Sequence, residues 1–358
     1  MRVCKIIAKA GMARVGGEFH KGKKGYDNHM RLPKYNDNAK INANISQIRD
    51  FGSSQFLQWR IVTLLSIKKI LLNIDDFVDD NLLTIFPKDV DRVNLRYNQI
   101  RNGFIYEAVS QSIQGIEEMF AMINGSKKLK QFTQKHIKYQ ASKISSYIKK
   151  PQWDKESFVL DELKLPLLEE KDCDSETYDL YRSGVEILLK NIIEIRAFYI
   201  RYVKAYNQYK HGLKVGMRPY GHDIVNHEAI DIIRQHPLDG TLHIFTNDLS
   251  GDLKGINFSP AVSINMTQYT HLFLNEMQNR KELLATMLDH FNIQNAIDVV
   301  TKAATITSVV WSNIEYRITA YEKKESTKQY AFPTNHPFRQ MIVTIVGENA
   351  YADDFTTF

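Results

Sequence analysis

With 358 residues, 43% of them hydrophobic and 25% charged, the chain has the composition of an ordinary folded protein, which excludes collagen-like, low-complexity and disulfide-scaffold classes. The 47 lysines and arginines against 41 acidic residues leave a net charge of +6, which admits a polyanionic partner such as RNA without requiring one. Two cysteines, Cys4 and Cys173, make neither a zinc ribbon nor a disulfide framework, and no apolar run approaches the roughly 18 to 20 residues of a membrane span. A cytoplasmic chain with no membrane contact is expected.

Residues 1–45 carry Lys21, Lys23, Lys24, Arg31 and Lys34 among glycines and read as a basic, poorly ordered N-terminal arm; the brief apolar run at 6–10 is too short for a secretory signal. From Ser53 onward, Phe56, Leu57, Ile61, Leu64, Leu65, Ile67, Leu71 and Leu72 recur at helical intervals, with Ser53 or Ser54 as N-cap. A break at Pro87 leads into a second helix over 89–123, stopped by Asn124 and Gly125, so that the two helices form an antiparallel pair. Residues 127–150 hold eight lysines among few apolar positions and predict a basic exposed helix ended by Pro151. Residues 153–175 contain Pro166 and the acidic pairs Asp161-Glu162 and Glu169-Glu170, the pattern of a connecting loop with one short strand.

A long helix is predicted over 177–211, closed by Gly212. Beyond it, β-branched runs predict short strands at 241–246, 261–266 and 340–346, interleaved with helices at 269–291 and 294–304. The expected fold is therefore mainly α: a helical bundle over 46–212, then a smaller mixed α/β region over 213–358.

The end of the 177–211 helix carries the strongest functional pattern. Projected at 100° per residue, Arg201, Lys204, Asn207, Gln208 and His211 fall within an arc of about 120°, opposite Phe198, Tyr199, Tyr202, Val203, Tyr206 and Tyr209. Asn207 and His211 lie one turn apart, about 6 Å along the axis. The negative end of the helix dipole favours a protonated His211, suited to general acid work or phosphate binding. The mixed charges along the stripe also fit a plain solvated face.

The segment Arg-Tyr-Val-Lys-Ala-Tyr-Asn-Gln-Tyr-Lys-His-Gly, residues 201–212, resembles the active-helix region of HEPN-fold proteins, helical nucleotide-binding domains of many bacterial toxin and phage-defence ribonucleases. The resemblance covers the helical half only. It implies a HEPN-like bundle that binds RNA or a nucleotide and cleaves RNA without metal or other cofactor. His211 would act as acid/base, Asn207 would orient it, and Arg201 or Lys204 would hold phosphate. The family places an Arg four to six positions before the His, whereas Arg201 stands about 15 Å from His211 along the helix, so Lys204 or Asn207 would substitute. A partial echo at 96–106 adds Arg96 and Arg101 as phosphate-binding candidates, with Tyr106 where the family has histidine. Arg96 or Arg101 would then share a groove with His211.

Two other functions compete. The tyrosine-rich face of the 177–211 helix, with Tyr202, Tyr206 and Tyr209, suits a homodimer interface of a non-enzymatic protein. Asp75, Asp76, Asp79 and Asp80 make two one-turn carboxylate pairs similar to the diphosphate-binding motif of class I terpene synthases, which implies a magnesium-dependent enzyme. The second metal motif of those enzymes is absent, and an exposed acidic helix end is the simpler reading. Of the cluster His222, Asp223, His227, Glu228 and His236, His222 and His227 sit about 140° apart on a helix and share no face; Asp223 and His227, four apart, could share one, but no H-E-x-x-H arrangement is present to make a metal site.

Overall fold

The computed structural model describes residues 37–54, 58–77, 90–210, 237–246, 285–323 and 327–346. The chain divides into a short unit, Met1–Lys40, and a main body, Ile41–Phe358. In order, the elements are α1 (Asp37–Ser53), α2 (Trp59–Leu72), α3 (Val90–Ser126), α4 (Phe132–Ile137), α5 (Ala141–Ile148), α6 (Glu156–Leu163), α7 (Ser175–Lys210), β1 (Asp239–Thr246), β2 (Ala285–Asn292), α8 (Ile293–Lys323), β3 (Thr327–Pro333) and β4 (Gln340–Val346). Among the described residues the protein is mainly helical, with two small antiparallel sheets, β1–β2 and β3–β4, towards the C-terminus. The registers run Asp239 to Asn292 through Thr246 to Ala285, and Thr327 to Val346 through Pro333 to Gln340.

The core lies where α3, α7 and α8 meet. Along α3, Ile105, Val109, Ile113, Ile116, Phe120 and Ile123 form a continuous buried stripe with three- and four-residue steps. α8 is buried along its length from Ile293 to Ala320 and packs against α2, α3, α7 and β3. α2 runs antiparallel to α3, as expected: Arg60 at its start bonds Gln111 and Glu118, while Phe77, just past its end, stacks edge-on against Phe104 at 5.6 Å.

Several boundaries differ from the sequence-based expectation. The arm expected over 1–45 gives way to a helix at Asp37, because Ile41, Ile45 and Ile48 line one buried face; residues 1–36 lie outside the described residues. Ser53 ends α1 instead of capping the next helix, which begins at Trp59. α3 passes through Asn124 and Gly125 to Ser126. Its last carbonyls are satisfied from outside the helix, Asn124 by Lys135 at 2.7 Å and Ser126 by Arg317 at 2.7 Å. A side chain at Gly125 would meet the His136 ring at 2.4 Å, so this glycine serves close packing and not termination.

The single basic helix expected over 127–150 is broken into a 3-10 turn (Leu129–Gln131), α4 and α5, which turn Leu129, Phe132, Ile144, Tyr147 and Ile148 inward. The loop expected over 153–175 contains α6. Glu162, which the sequence reading placed in that loop, is buried and bonded to the Tyr147 hydroxyl and to Lys127. The end of the helix expected over 269–291 is strand β2: pairing with β1 and docking of Phe291 on Tyr202 outweigh local propensity. β3 was not anticipated, whereas the strands at 241–246 and 340–346 were; the strand expected at 261–266 lies outside the described residues. No described helix is long and apolar enough to cross a membrane.

Candidate functional site

α7 presents its two faces as the projection predicts. Arg201, Lys204 and Asn207 are exposed, while Phe198, Tyr199, Tyr202, Val203 and Tyr206 are buried. Tyr202 lies 4.6 Å from Phe198 and 5.2 Å from Phe291, ring to ring. Tyr202 and Tyr206, expected at a dimer interface, are therefore part of the chain's own core. The Arg201 guanidinium stands over the Tyr202 ring at 5.3 Å and the Lys210 ammonium over the Tyr206 ring at 5.8 Å. His211, the residue after Lys210, lies outside the described residues, as do Tyr209's side chain and the histidines at 222, 227 and 236.

Arg96 belongs to α3, and its side chain lies outside the described ones. Arg101 is 7% exposed and donates from Nη2 to the Asp239 carbonyl at the start of β1, so it holds a strand. Asp75 and Asp76 are exposed beyond the end of α2, and Asp79 and Asp80 lie outside the described residues. Among the described residues no three His, Cys, Asp or Glu side chains are grouped to hold a metal ion.

The end of α7 opens instead onto a cleft of about 900 Å³, walled by Phe51, Trp59, Arg60, Glu117, Tyr139 and Lys210 and floored by Val300 and Ala304 of α8. The walls come from α1, α2, α3, the turn between α4 and α5, and α7, and α3 supplies the central carboxyl. Glu117 occupies the buried stripe of α3 beside Ile113, Ile116 and Phe120 and is 7% exposed. Its two carboxylate oxygens accept hydrogen bonds from the Tyr199 hydroxyl at 3.0 Å and the Tyr139 hydroxyl at 3.1 Å. Burial pushes this carboxyl up, against the opposing effect of the two phenols and of the Lys210 charge. Burial also raises both phenols, with the neighbouring carboxylate adding to it.

Next to it, Arg60 is fixed on three sides. Its Nε donates to Glu118 at 2.8 Å, Nη2 to the same carboxylate, and Nη1 to the Gln111 side-chain carbonyl at 2.6 Å. Gln111 in turn donates to Glu107 at 2.6 Å. On the opposite wall, His136 stacks against Phe51 and Phe132 at 4.8 and 4.3 Å. Its Nδ1 sits 2.8 Å from the Phe132 carbonyl, so that nitrogen carries the hydrogen, and burial lowers the ring's basicity.

The cleft thus offers a buried carboxyl, a facing ammonium, an anchored guanidinium, and the exposed rings of Trp59 and Tyr139 at the mouth. Those are groups for a flat, anionic ligand. Among the described residues, Arg101, Arg201, Lys204 and Asn207 do not line it; Lys210 does. Sequence reasoning pointed to the helix end that borders this cleft but did not single out Arg60, Glu117, His136 or Tyr139. The available signal was an acidic residue at i+4 in the Ile113 stripe, a carboxyl on a face that must be buried. No family model, curated protein or solved structure matches the chain.

Proposed function

We propose that this is an RNA- or nucleotide-binding protein with a HEPN-like helical bundle, and that it takes its ligand in the cleft at the C-terminal end of α7. The observation that carries the reading is that Lys210, immediately before His211, faces Glu117 across this cleft. The helix end bearing the resemblance is the same end that lines a concave, aromatic-rimmed and partly cationic site. A base stacks on Trp59 or Tyr139, and phosphate meets Lys210, with Lys204 and Arg201 further back along the exposed side of α7.

Cleavage in such a site needs no metal. The 2′-hydroxyl loses its proton to a base and attacks phosphorus, while His211 gives a proton to the departing 5′-oxygen, leaving a 2′,3′-cyclic phosphate and a 5′-hydroxyl. Asn207 orients the imidazole one turn away. The test is incubation of total RNA in EDTA with the wild type and His211→Ala, alongside calorimetric binding of a nucleoside monophosphate to the wild type and Lys210→Ala. Cleavage lost only in His211→Ala, and nucleotide affinity reduced in Lys210→Ala, are expected. A wild type that neither binds nor cleaves overturns the reading; equal cleavage by both proteins removes His211 from the chemistry.

A further inference from the structure

Positive charge is distributed very unevenly along this chain. Residues 127–155 contain nine lysines and one acidic residue, Asp154, for a local charge of +8 against +6 for the whole chain. Even that acid is neutralised, because Asp154 pairs with Arg196 of α7. The same arginine donates to the carbonyls of Ile148 at 2.9 Å and Lys150 at 2.8 Å, clamping the end of α5 onto α7. Burial of Leu129, Phe132, Ile144, Tyr147, Ile148 and Trp153 then turns the lysines outward.

Lys128, Lys138, Lys143, Lys149, Lys150 and Lys155 are all exposed, and among the described residues none is in a salt bridge. Two ammonium groups lie over the aromatic layer below, one of them, Lys127, also paired with Glu162. Lys127 and Lys150 each stand 5.1 Å from the centroid of the Tyr147 ring, which is held edge-on to Trp153 at 5.2 Å. Crowding is felt at Lys135, whose basicity is lowered by burial and by Lys127 and Lys128. The segment also forms one wall of the cleft through His136, Tyr139 and Ala141.

We propose that the surface of residues 127–155 binds the phosphate backbone of single-stranded RNA and leads the strand into the cleft. The proposal rests on the nucleotide-binding reading and adds where the polymer is held. Spaced, unneutralised ammonium groups over a rigid floor are what a flexible polyanion needs, and each phosphate contact releases counterions. Apart from Pro151, the described exposed positions between the lysines are polar, among them Gln134, Gln140, Ser142, Ser146 and Gln152, with Tyr139 as the one exposed ring. A membrane-surface segment would present an apolar face there.

The test is fluorescence anisotropy of the full chain with a labelled 20-nucleotide RNA from 50 to 300 mM KCl, with a nucleoside monophosphate measured in parallel. The triple variant Lys138→Gln/Lys143→Gln/Lys149→Gln is compared with a charge-matched control, Lys69→Gln/Lys171→Gln/Lys190→Gln. The first triple should lose at least about tenfold in RNA affinity at 100 mM KCl and flatten the slope of log K against log salt by about 2. Its mononucleotide affinity should be unchanged, and the control should match the wild type. Equal losses in both triples, or no loss in either, overturn the proposal, as does lysine-dependent binding to phosphatidylserine vesicles that exceeds binding to RNA. A wild type that holds the mononucleotide but the 20-mer no more tightly overturns the surface and leaves the cleft standing. Lysine-dependent RNA binding with no mononucleotide binding does the reverse.

Discussion

Asn313 faces inward from α8, 5% exposed, opposite the middle of β3. Its Nδ2 donates to the Ala331 carbonyl at 3.0 Å, and its Oδ1 accepts from the Ala331 amide at 2.7 Å. One side chain thus satisfies both backbone groups of a residue that is itself fully buried. Asn313→Ala leaves an amide and a carbonyl without partners in the interior, at about 1–3 kcal/mol each, so a loss of about 2–5 kcal/mol is expected. Against a typical total of about 5–15 kcal/mol this is a large fraction of the stability. Urea unfolding followed by far-ultraviolet circular dichroism measures it, with Trp311, two residues earlier, as a local fluorescence probe. Asn313→Asp supplies a second reading. The carboxylate still accepts from the Ala331 amide but faces its carbonyl, so burial and repulsion raise its pKa in the fold above the unfolded value near 3.9. The deficit is then fully present above the folded pKa and is relieved as pH falls towards the unfolded one. A loss below about 1 kcal/mol in Asn313→Ala, or a pH-independent deficit in Asn313→Asp, would refute the account of how β3 is anchored.

Two further outcomes follow from the same reasoning. Glu117 has a folded pKa above its unfolded value, so its ionised form costs stability at neutral pH, and that cost is absent below about 4.5. Glu117→Gln should therefore melt higher than wild type near pH 8 and level with it near pH 4; a variant that is less stable at every pH contradicts the assignment. Gly103 and Gly184 both lie in helices, but an added Cβ meets nothing within 4 Å at Gly103 and approaches the Phe332 Cβ to 2.6 Å at Gly184. Gly103→Ala should raise stability by up to about 1 kcal/mol through helix propensity. Gly184→Ala should lower it, because α7 and β3 must separate; thermal melts with shifts of the same sign would contradict the packing.

Much of the helical body was legible because burial repeats at the helical period. The stripe through Ile113, Ile116 and Phe120 and the split between Tyr202 and Lys204 on α7 could both be read from spacing alone. Errors arose where tertiary contacts replace a local signal. Asn124 and Gly125 look like a helix stop until Lys135 and Arg317 arrive to accept the duty of capping the carbonyls. Asp161 and Glu162 look like a loop until Tyr147 and Lys127 enclose the second carboxyl. β2 looks helical until β1, some 40 residues earlier, supplies its ladder.

The site was harder to read for a related reason. Its groups come from α1, α2, α3, α4, α7 and α8, so no short motif contains them, and sequence spacing speaks only within one element. What a sequence does hold is the anomaly each group creates where it sits. A glutamate stands in the apolar stripe of α3, and an arginine is buried in the first turn of a helix otherwise rich in Leu and Ile. Either is costly to bury without a partner, so each predicts that another element must bring one. Tyr199 and Tyr139 answer Glu117, and Gln111 and Glu118 answer Arg60. Such partners exceed what stability alone requires, since an isoleucine at 117 would continue the stripe at lower cost. That excess of polar partners in a core position, on the wall of the cleft that Lys210 borders, makes Glu117 and the lysine surface beside it the places to test the proposed ligand site first.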